Sequence, residues 1–260
     1  MMRFGVCTKP EQLQAVIDAG YDYIELSLMW LAAMEEEAYL QFRKMLEASP
    51  VKAETTNCFF PREILLVGPE ADHKRVENYT KQALARAADL GIRICVMGSG
   101  AARNIPEGFD PKEAEEQLIQ VLRQTGDIAQ TYGITIALEP LREKETNLIN
   151  TVAQGLALCR KVNHPAVKCL ADFYHVLCSE ESMDAIENAG EMLVHTHLAC
   201  YDRAIPSNEA DVALCETWAA ALKKCGYEGR ISLEGRFGDD FAGAIKTALP
   251  ILKKVFNKGE

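Results

Sequence analysis

The feature that most constrains the fold of this chain is a regular alternation of short apolar runs with longer segments of helical hydrophobic period. Eight short runs rich in β-branched residues can be counted in the 260 residues, and each is followed by a helical pattern. Such alternation is typical of repeated β-α units on a parallel sheet. Eight units in one chain of this length predict a single-domain α/β fold, a (β/α)8 (TIM) barrel over residues 1–260. The predicted strands are RFGVC from Arg3, YIEL from Tyr23, VKAET from Val51, IRICVM from Ile92, ITIAL from Ile134, VKCLA from Val167, MLVHTHL from Met192 and ISLE from Ile231.

Local signals agree with this division into units. Thr8-x-x-Glu11 and Thr151-x-x-Gln154 have the pattern of helix capping boxes, and Asp110 precedes a proline at a predicted first helical position. The polar stretches between elements are short except after the third and fourth strands. We therefore expect those two loops to be candidate lids over a site.

Composition excludes several classes of function. The formal net charge is -10, and the 28 Lys and Arg residues are scattered, so nucleic acid is not an expected partner. Nine cysteines at irregular spacings contain no C-x-x-C motif, which predicts reduced thiols in a cytoplasmic protein. No apolar run approaches the roughly 18 residues that a membrane span needs. The expected partner is a small molecule, and the chain could form a homo-oligomer, either a dimer or a tetramer.

Four metal-ligating side chains stand at the ends of four consecutive predicted strands. They are Glu139, Asp172, His197 and Glu234, from the fifth to the eighth strand. In a (β/α)8 barrel these ends converge on one mouth, where active sites are built. Three carboxylates there would repel one another without a cation, and three oxygen ligands with one nitrogen suit a hard divalent ion. We predict one divalent ion, with Mn²⁺ as the first choice and Mg²⁺, Co²⁺ or Zn²⁺ as alternatives.

Any one of these residues could be structural, because an acidic group at a strand end often caps the next helix. All four together make that explanation much weaker. His195 provides a comparison, since its side chain should lie on the same side of the strand as that of His197 but one layer deeper. We expect His195 to be a hydrogen-bonded core histidine or a support for the ligands.

Three further polar residues follow the ligands at short intervals. Glu145 comes six residues after Glu139, His175 three after Asp172, and Arg203 six after His197. A carboxylate, an imidazole and a guanidinium beside a metal could hold several hydroxyl groups and stabilise an oxyanion.

At these residues the chain resembles the sugar isomerase and epimerase superfamily of xylose isomerase-like barrels, most closely the ketose 3-epimerases related to D-tagatose 3-epimerase. The resemblance spans nearly the whole chain. Its most specific segments are EPLREKETNLINTVAQGLALCRKVNHP from Glu139, DFYHV from Asp172, HTHL from His195 and GYEGRISLE from Gly226.

The resemblance implies a role for each candidate residue. The four strand-end residues would bind the metal, and Glu139 and Glu234 would also act as acid and base on the two faces of a sugar. Glu145, His175 and Arg203 would hold and polarise the C1 and C2 oxygens of the substrate. A ketose, or a ketose phosphate, would then lose its C3 proton to one carboxylate through a cis-enediolate and regain it from the other.

Other outcomes remain open on the same site. Return of the proton to C2 would exchange aldose and ketose, and an inosose isomerase or dehydratase would begin with the same enolate chemistry. An AP endonuclease-like phosphodiesterase would need more histidines and a basic face, and a non-catalytic sugar-binding barrel would be expected to lack one of the two glutamates. Arg236 and Gly238 after the eighth strand are a weak signal for binding a phosphorylated sugar.

The chain departs from the family pattern around the substrate. Cys200 stands where the family often has an acidic residue, and AIPSNE replaces a glycine-rich turn after Arg203. Cys7 and Thr8 end the first strand in place of an aromatic pair that several free-ketose epimerases use to pack the distal sugar carbons. These differences bear on which sugar is bound, and they leave the metal ligands unchanged.

Overall fold

The fold is a closed barrel of eight parallel strands. A computed structural model describes residues 1–257 and places the strands in sequence order, with the first strand also pairing with the eighth. This confirms the predicted (β/α)8 barrel. The last three residues of the predicted domain, 258–260, lie outside the described residues.

The strands and helices follow one another around the barrel. The strands are β1 Arg3–Cys7, β2 Tyr23–Ser27, β3 Lys52–Asn57, β4 Ile94–Met97, β5 Thr135–Leu138, β6 Val167–Asp172, β7 Leu193–Leu198 and β8 Arg230–Leu233. The α-helices are α1 Leu13–Ala19, α2 Leu28–Ala33, α3 Glu36–Ala48, α4 His73–Asp89, α5 Pro111–Thr131, α6 Val152–Val162, α7 Phe173–Cys178, α8 Asp184–Glu187, α9 Glu209–Cys225 and α10 Phe241–Phe256.

The bounds of every strand except the first differ from the prediction by one or two residues, and one predicted cap is wrong. β3 continues two residues beyond the predicted Thr55 and ends at Asn57. Thr8 caps nothing, because the chain enters a 3-10 turn at Pro10–Gln12 and no side chain bonds to its N-terminus. Asp110 caps α5 as predicted, and Thr151 accepts a hydrogen bond from the Gln154 backbone. The capping box at Thr151 is only half formed, because the Gln154 side chain accepts from the Asn150 backbone N–H instead.

The main hydrophobic core fills the layer between barrel and helices, and a second small apolar cluster comprises Ile94, Val96, Ala137 and Leu170 on β4, β5 and β6. The barrel also contains buried polar side chains, among them Glu25, Thr55, His195 and Ser232. Tyr23 lies there because Gly5 on β1 has no side chain, and a Cβ at that position would overlap the tyrosine ring. Among the described residues no helix is both long and apolar enough to cross a bilayer. The polar part of the interior leads directly to the mouth of the barrel.

Candidate active site

The four predicted metal ligands meet at the carboxyl ends of the strands. Glu139 follows β5, Asp172 ends β6, His197 lies in β7 and Glu234 follows β8. One ligand atom from each lies within 4.8 Å of every other. His197 Nδ1 is 3.1 Å from Glu139 Oε1 and 3.4 Å from Glu234 Oε2. The two glutamates therefore flank the same imidazole nitrogen.

The cluster has the charge and the unpaired oxygen that a cation would satisfy. Asp172 is buried, and its Oδ1 accepts hydrogen bonds from the backbone N–H groups of Tyr174 and His175 at the start of α7, whereas Oδ2 has no hydrogen-bond partner. Burial, together with Glu139 and Glu234, raises the pKa of Asp172 well above its usual value. A buried carboxylate oxygen without a donor, facing two more carboxylates and an imidazole, fits a divalent cation.

The two glutamates have different electrostatic surroundings. Burial raises the pKa of Glu139. Burial has the same tendency at Glu234, but the charges of His197 and Arg203 outweigh it and lower the pKa of Glu234 to about 2. The pair can thus differ in protonation, which acid and base roles require.

The three predicted substrate residues form a second cluster beside the first. Arg203 Nη2 lies 3.0 Å from His175 Nε2 and 3.7 Å from Glu145 Oε1. Arg142 and Tyr174 complete the cluster, because the Arg142 guanidinium donates to Glu145 and to the Tyr174 hydroxyl, at 2.8 and 2.6 Å. The guanidiniums of Arg142 and Arg203 both pack on the Tyr174 ring, at 5.1 and 4.8 Å from its centroid.

The hydrogen bonds of His175 indicate its tautomer. The backbone N–H of Arg142 donates to His175 Nδ1 at 3.2 Å, so in the neutral ring the hydrogen is on Nε2. Burial and the charge of Arg203 lower the pKa of His175 to about 3, which keeps the ring neutral. The Nε2–H then lies beside a guanidinium that is itself a donor, and an oxygen atom that approached both nitrogens from the cavity side would accept from both.

Two glycines allow the loop after β4 to reach the site. A Cβ on Gly98 would overlap Glu139 Oε2, and one on Gly100 would lie 2.5 Å from the Glu145 carbonyl oxygen. Arg103 at the end of this loop is fully buried and donates to the Glu139 carbonyl oxygen at 2.8 Å. The β4 loop therefore sets the backbone position of Glu139.

A third close approach fixes the loop that carries Arg203. Asp202 and Arg203 both have positive φ angles, 57° and 58°. The Arg203 carbonyl oxygen accepts from the backbone N–H of Arg236 at 2.7 Å, and a Cβ on Gly235 would lie 2.5 Å from that oxygen. The β8 loop thus holds a strained β7 loop in place.

The mouth of the barrel contains a cavity of about 500 Å³. Glu139, Glu234, Glu145 and Arg203 line it together with the loops after β3 and β4, which were the predicted lids. The remaining wall residues are Met29, Cys58, Phe60, Pro61, Arg62, Glu63, Gly98, Ser99, Gly100, Ala101, Ala102 and Leu141. The cavity therefore connects both clusters to solvent.

Besides Arg142 and Tyr174 in the second cluster, sequence reasoning missed three residues that contact the metal-ligand cluster. Asn57 donates to Glu234 Oε1 at 2.6 Å, and it lies beyond the predicted end of β3. Arg103 contacts the Glu139 backbone, and no pattern marks it. Glu25 accepts hydrogen bonds from His195 and His197, and its signal was a glutamate in the middle of an otherwise apolar strand. His195 is a buried, hydrogen-bonded histidine beside His197, as predicted.

The fold is a parallel barrel, and its mouth carries a cluster of polar and charged side chains. Comparison with known proteins identifies the family of barrels to which the chain belongs. The model of the xylose isomerase-like TIM barrel family matches residues 13–255, so the chain belongs to that family. An L-ribulose 3-epimerase from Methylomonas sp. (strain DH-1) is 28% identical over 223 residues, which cover 83% of this chain and 74% of that protein. A 3-dehydro-D-guloside 4-epimerase from Escherichia coli (strain K12) is 27% identical, covering 69% of this chain and 70% of that protein.

A solved structure shows the same fold. The D-allulose 3-epimerase from Methylomonas sp., in complex with D-allulose, superposes with a TM-score of 0.85 at 20% identity, covering 98% of this chain and 97% of that one. Alignments with three D-psicose 3-epimerases span only 47%, 40% and 55% of those proteins. The named relatives are epimerases, which agrees with the predicted enzyme class, an isomerase, and supports a sugar epimerase function.

Proposed function

We propose that this chain is a divalent-metal-dependent epimerase that inverts the carbon next to the ketone of a sugar, with C3 of a ketose or ketose phosphate as the first choice. The observation that carries the proposal is that Glu139 and Glu234 both approach His197 Nδ1, at 3.1 and 3.4 Å, and so bring two carboxylates to one ligand cluster. Glu139, Asp172, His197 and Glu234 would hold the ion, for which Mn²⁺ is our first choice. When bound, such an ion withdraws charge from a carbonyl and makes the neighbouring carbon acid stronger.

The chain's own groups account for the proton transfers. One of the two glutamates takes the proton from the carbon on one face, and the other returns a proton on the opposite face. Their different surroundings support this division, since Glu234 is held ionised and Glu139 is more readily protonated. Epimerisation therefore follows from two carboxylates that act on one carbon.

The second cluster would hold the oxygens of the substrate. The Nε2–H of His175 and the guanidinium of Arg203 both point donors at one space, and an oxygen there would gain negative charge as the proton leaves carbon. Glu145 would accept from a neighbouring hydroxyl group and keep Arg203 oriented. We further propose that residues 1–260 form one catalytic domain that acts in the cytoplasm on a small sugar.

A second candidate substrate is a keto sugar that carries an attached group. The cavity of about 500 Å³ is larger than a free hexose, which fills roughly 200 Å³ at the packing density of protein interiors. The Escherichia coli relative is named for a glycoside, and its name also places the inverted carbon beside a ketone. Cys7 and Thr8 stand at the end of β1 in place of the aromatic pair that the resemblance to free-ketose epimerases implies.

The experiment is a substrate screen with added Mn²⁺. Ketoses, ketose phosphates and oxidised glycosides are each incubated with wild type, Glu139→Gln and Glu234→Gln, and products are followed by NMR. We expect one class to be epimerised by the wild type, while each variant loses at least about a thousandfold in rate because one proton transfer fails. Glu143→Gln is the matched control, since Glu143 is an exposed acid on the loop of Glu145 and should keep full activity.

Other products would change the assignment. An aldose formed from a ketose would make the chain an aldose-ketose isomerase, and loss of water from an inosose would make it a dehydratase. Unchanged rates in Glu139→Gln and Glu234→Gln would contradict the proposed acid and base.

A further inference from the structure

A fully buried carboxylate lies beneath the candidate metal cluster. Glu25 is the central residue of β2, and its side chain has no exposure to solvent. Four side-chain donors surround it. His197 Nε2 lies 2.9 Å from Oε1, whereas Thr55 Oγ1, His195 Nε2 and Ser232 Oγ lie 2.7, 2.8 and 2.6 Å from Oε2. These partners come from β3, β7 and β8, so Glu25 ties together three strands across the barrel.

This arrangement assigns the hydrogens on the two histidines. An ionised carboxylate can only accept hydrogen bonds, so the ring nitrogen that faces Glu25 must be an N–H in both His195 and His197. Nδ1 of His197 can likewise donate to Glu139 Oε1, at 3.1 Å. A metal ion would replace the hydrogen on Nδ1, because Glu25 holds the one on Nε2. The metal would then bind the lone pair of Nδ1. That nitrogen is the one that lies 3.1 Å from Glu139 and 3.4 Å from Glu234.

We propose that Glu25 is a positioning residue that fixes His197 as a metal ligand through Nδ1. It holds the Nε2–H tautomer, sets the orientation of the ring, and makes Nδ1 a better donor. The inference rests on the metal site of the proposed function, and it adds a residue that does not touch substrate. It concerns metal binding, so it can be tested without a known sugar.

The two oxygens of Glu25 are not equivalent, and this makes Glu25→Gln a sharp probe. In the variant the amide oxygen should take the Oε2 position, because three donors converge there and only one faces Oε1. The amide NH₂ group would then point at His197 Nε2, which would have to accept. The hydrogen of His197 would move to Nδ1 and block the metal.

The first measurement is the histidine tautomer in the Zn²⁺-loaded protein by two-bond ¹H–¹⁵N correlation. In wild type we expect His197 to show Nε2–H with a metal-bound Nδ1. In Glu25→Gln at the same Zn²⁺ concentration we expect Nδ1–H. A wild-type His197 that binds Zn²⁺ through Nε2, or carries its hydrogen on Nδ1, would overturn the proposal even if the variant did not fold.

The second measurement is Mn²⁺ affinity by competition with a chelator. Glu25→Gln should bind Mn²⁺ about 10- to 100-fold more weakly, as is usual when the partner of a ligating histidine is lost. Glu25→Asp, which keeps the charge and both acceptors, should recover part of this loss. Thr55→Val is the matched control, because it removes a donor to Oε2 without touching His197, and its affinity should stay within about threefold of wild type.

The outcomes separate this inference from the proposed function. If wild type binds Mn²⁺ and Glu25→Gln binds it equally well, Glu25 does not position the ligand, and the proposed epimerase is unaffected. If wild type binds no Mn²⁺, both proposals fail.

Discussion

Asp172 uses its two carboxylate oxygens for different purposes. Oδ1 caps α7 by accepting from the Tyr174 backbone at 2.7 Å, and this fixes the carboxyl group so that Oδ2 points into the ligand cluster. His175 lies one turn further on the same short helix, and its ring is oriented by the Arg142 backbone. Local hydrogen bonds to the backbone thus set the orientation of the side chains of Asp172 and His175.

The neutrality of His175 gives a prediction for stability against pH. Its pKa is about 3 in the folded protein and 6.5 as the ordinary value, so the unfolded chain takes up a proton first as pH falls. Since the folded pKa is depressed, His175 stabilises the fold above pH 6.5, and this contribution is lost progressively between pH 6.5 and 3. The variant His175→Gln has no titratable group at this position, so it lacks this pH-dependent contribution to stability.

Urea unfolding of wild type and His175→Gln at pH 7.5, 6.0 and 5.0 checks this. Below pH 6.5 the wild type should lose stability relative to the variant by up to about 1.4 kcal/mol per pH unit. Parallel pH dependence in both proteins would mean that the folded-state pKa of His175 is not depressed.

The site residues could be predicted from the sequence where both the residue type and its position at a strand end are informative. Glu139, Asp172, His197 and Glu234 are metal-ligating types at strand ends, and the geometry of a parallel barrel brings such positions together. Asn57 and Arg103 were not predictable in the same way. Asn57 contacts Glu234 only because β3 is longer than its apolar pattern indicates, and Arg103 acts through the carbonyl oxygens of distant loops.

The loop after β4 shows how an element sets the site without supplying a ligand. Gly98 leaves space for the Glu139 carboxylate, and Gly100 leaves space for the backbone of Glu145. Ser99 between them accepts from the Phe60 backbone at 2.8 Å and so connects this loop to the one after β3. The sequence indicated that both loops are long. It could not indicate that Gly98 and Gly100 must lack side chains, because their close contacts with Glu139 and Glu145 form only in the folded barrel.

Gly98→Ala should therefore impair the site more than the fold. The added methyl group would overlap Glu139 Oε2, and a displacement of about 1 Å at a catalytic group can reduce kcat/KM on the order of a hundredfold. Gly133→Ala is the comparison. Gly133 has a φ of 64° with no atom within 4 Å of a Cβ, so that variant should lose about 1 kcal/mol of stability and no activity.

Thermal melts and steady-state kinetics on both glycine variants distinguish the two effects. If Gly98→Ala has wild-type kcat/KM, the Glu139 carboxylate does not need its present position.

The whole molecule combines a predictable framework with an unpredictable interior. Eight apolar runs fix the order of the strands, because parallel β-α units of this number close into a barrel. The interior does not follow from apolar pattern alone, since one side is filled by Ile94, Val96, Ala137 and Leu170, and the other by a carboxylate with four donors. A glutamate in a strand is an isolated signal until its partners on three other strands are known.

The arrangement of the whole barrel also determines which chemistry its mouth can support. The carboxylate and donor network sits under one side of the mouth, directly below His197, and the cavity of about 500 Å³ opens above it. The central claim is that Glu139 and Glu234 exchange protons with one carbon from opposite faces.

Deuterium incorporation tests that claim most directly. The Mn²⁺-loaded protein is incubated in D₂O with the sugar that it converts, and products are examined by ¹H NMR and mass spectrometry at low conversion. Because the proton that arrives comes from a different carboxylate than the one that took the first, each product molecule should carry one deuterium at the inverted carbon, C3 for a ketose. Product that keeps its original hydrogen at that carbon, or deuterium found only at C1 or C2 together with an aldose, would contradict the account.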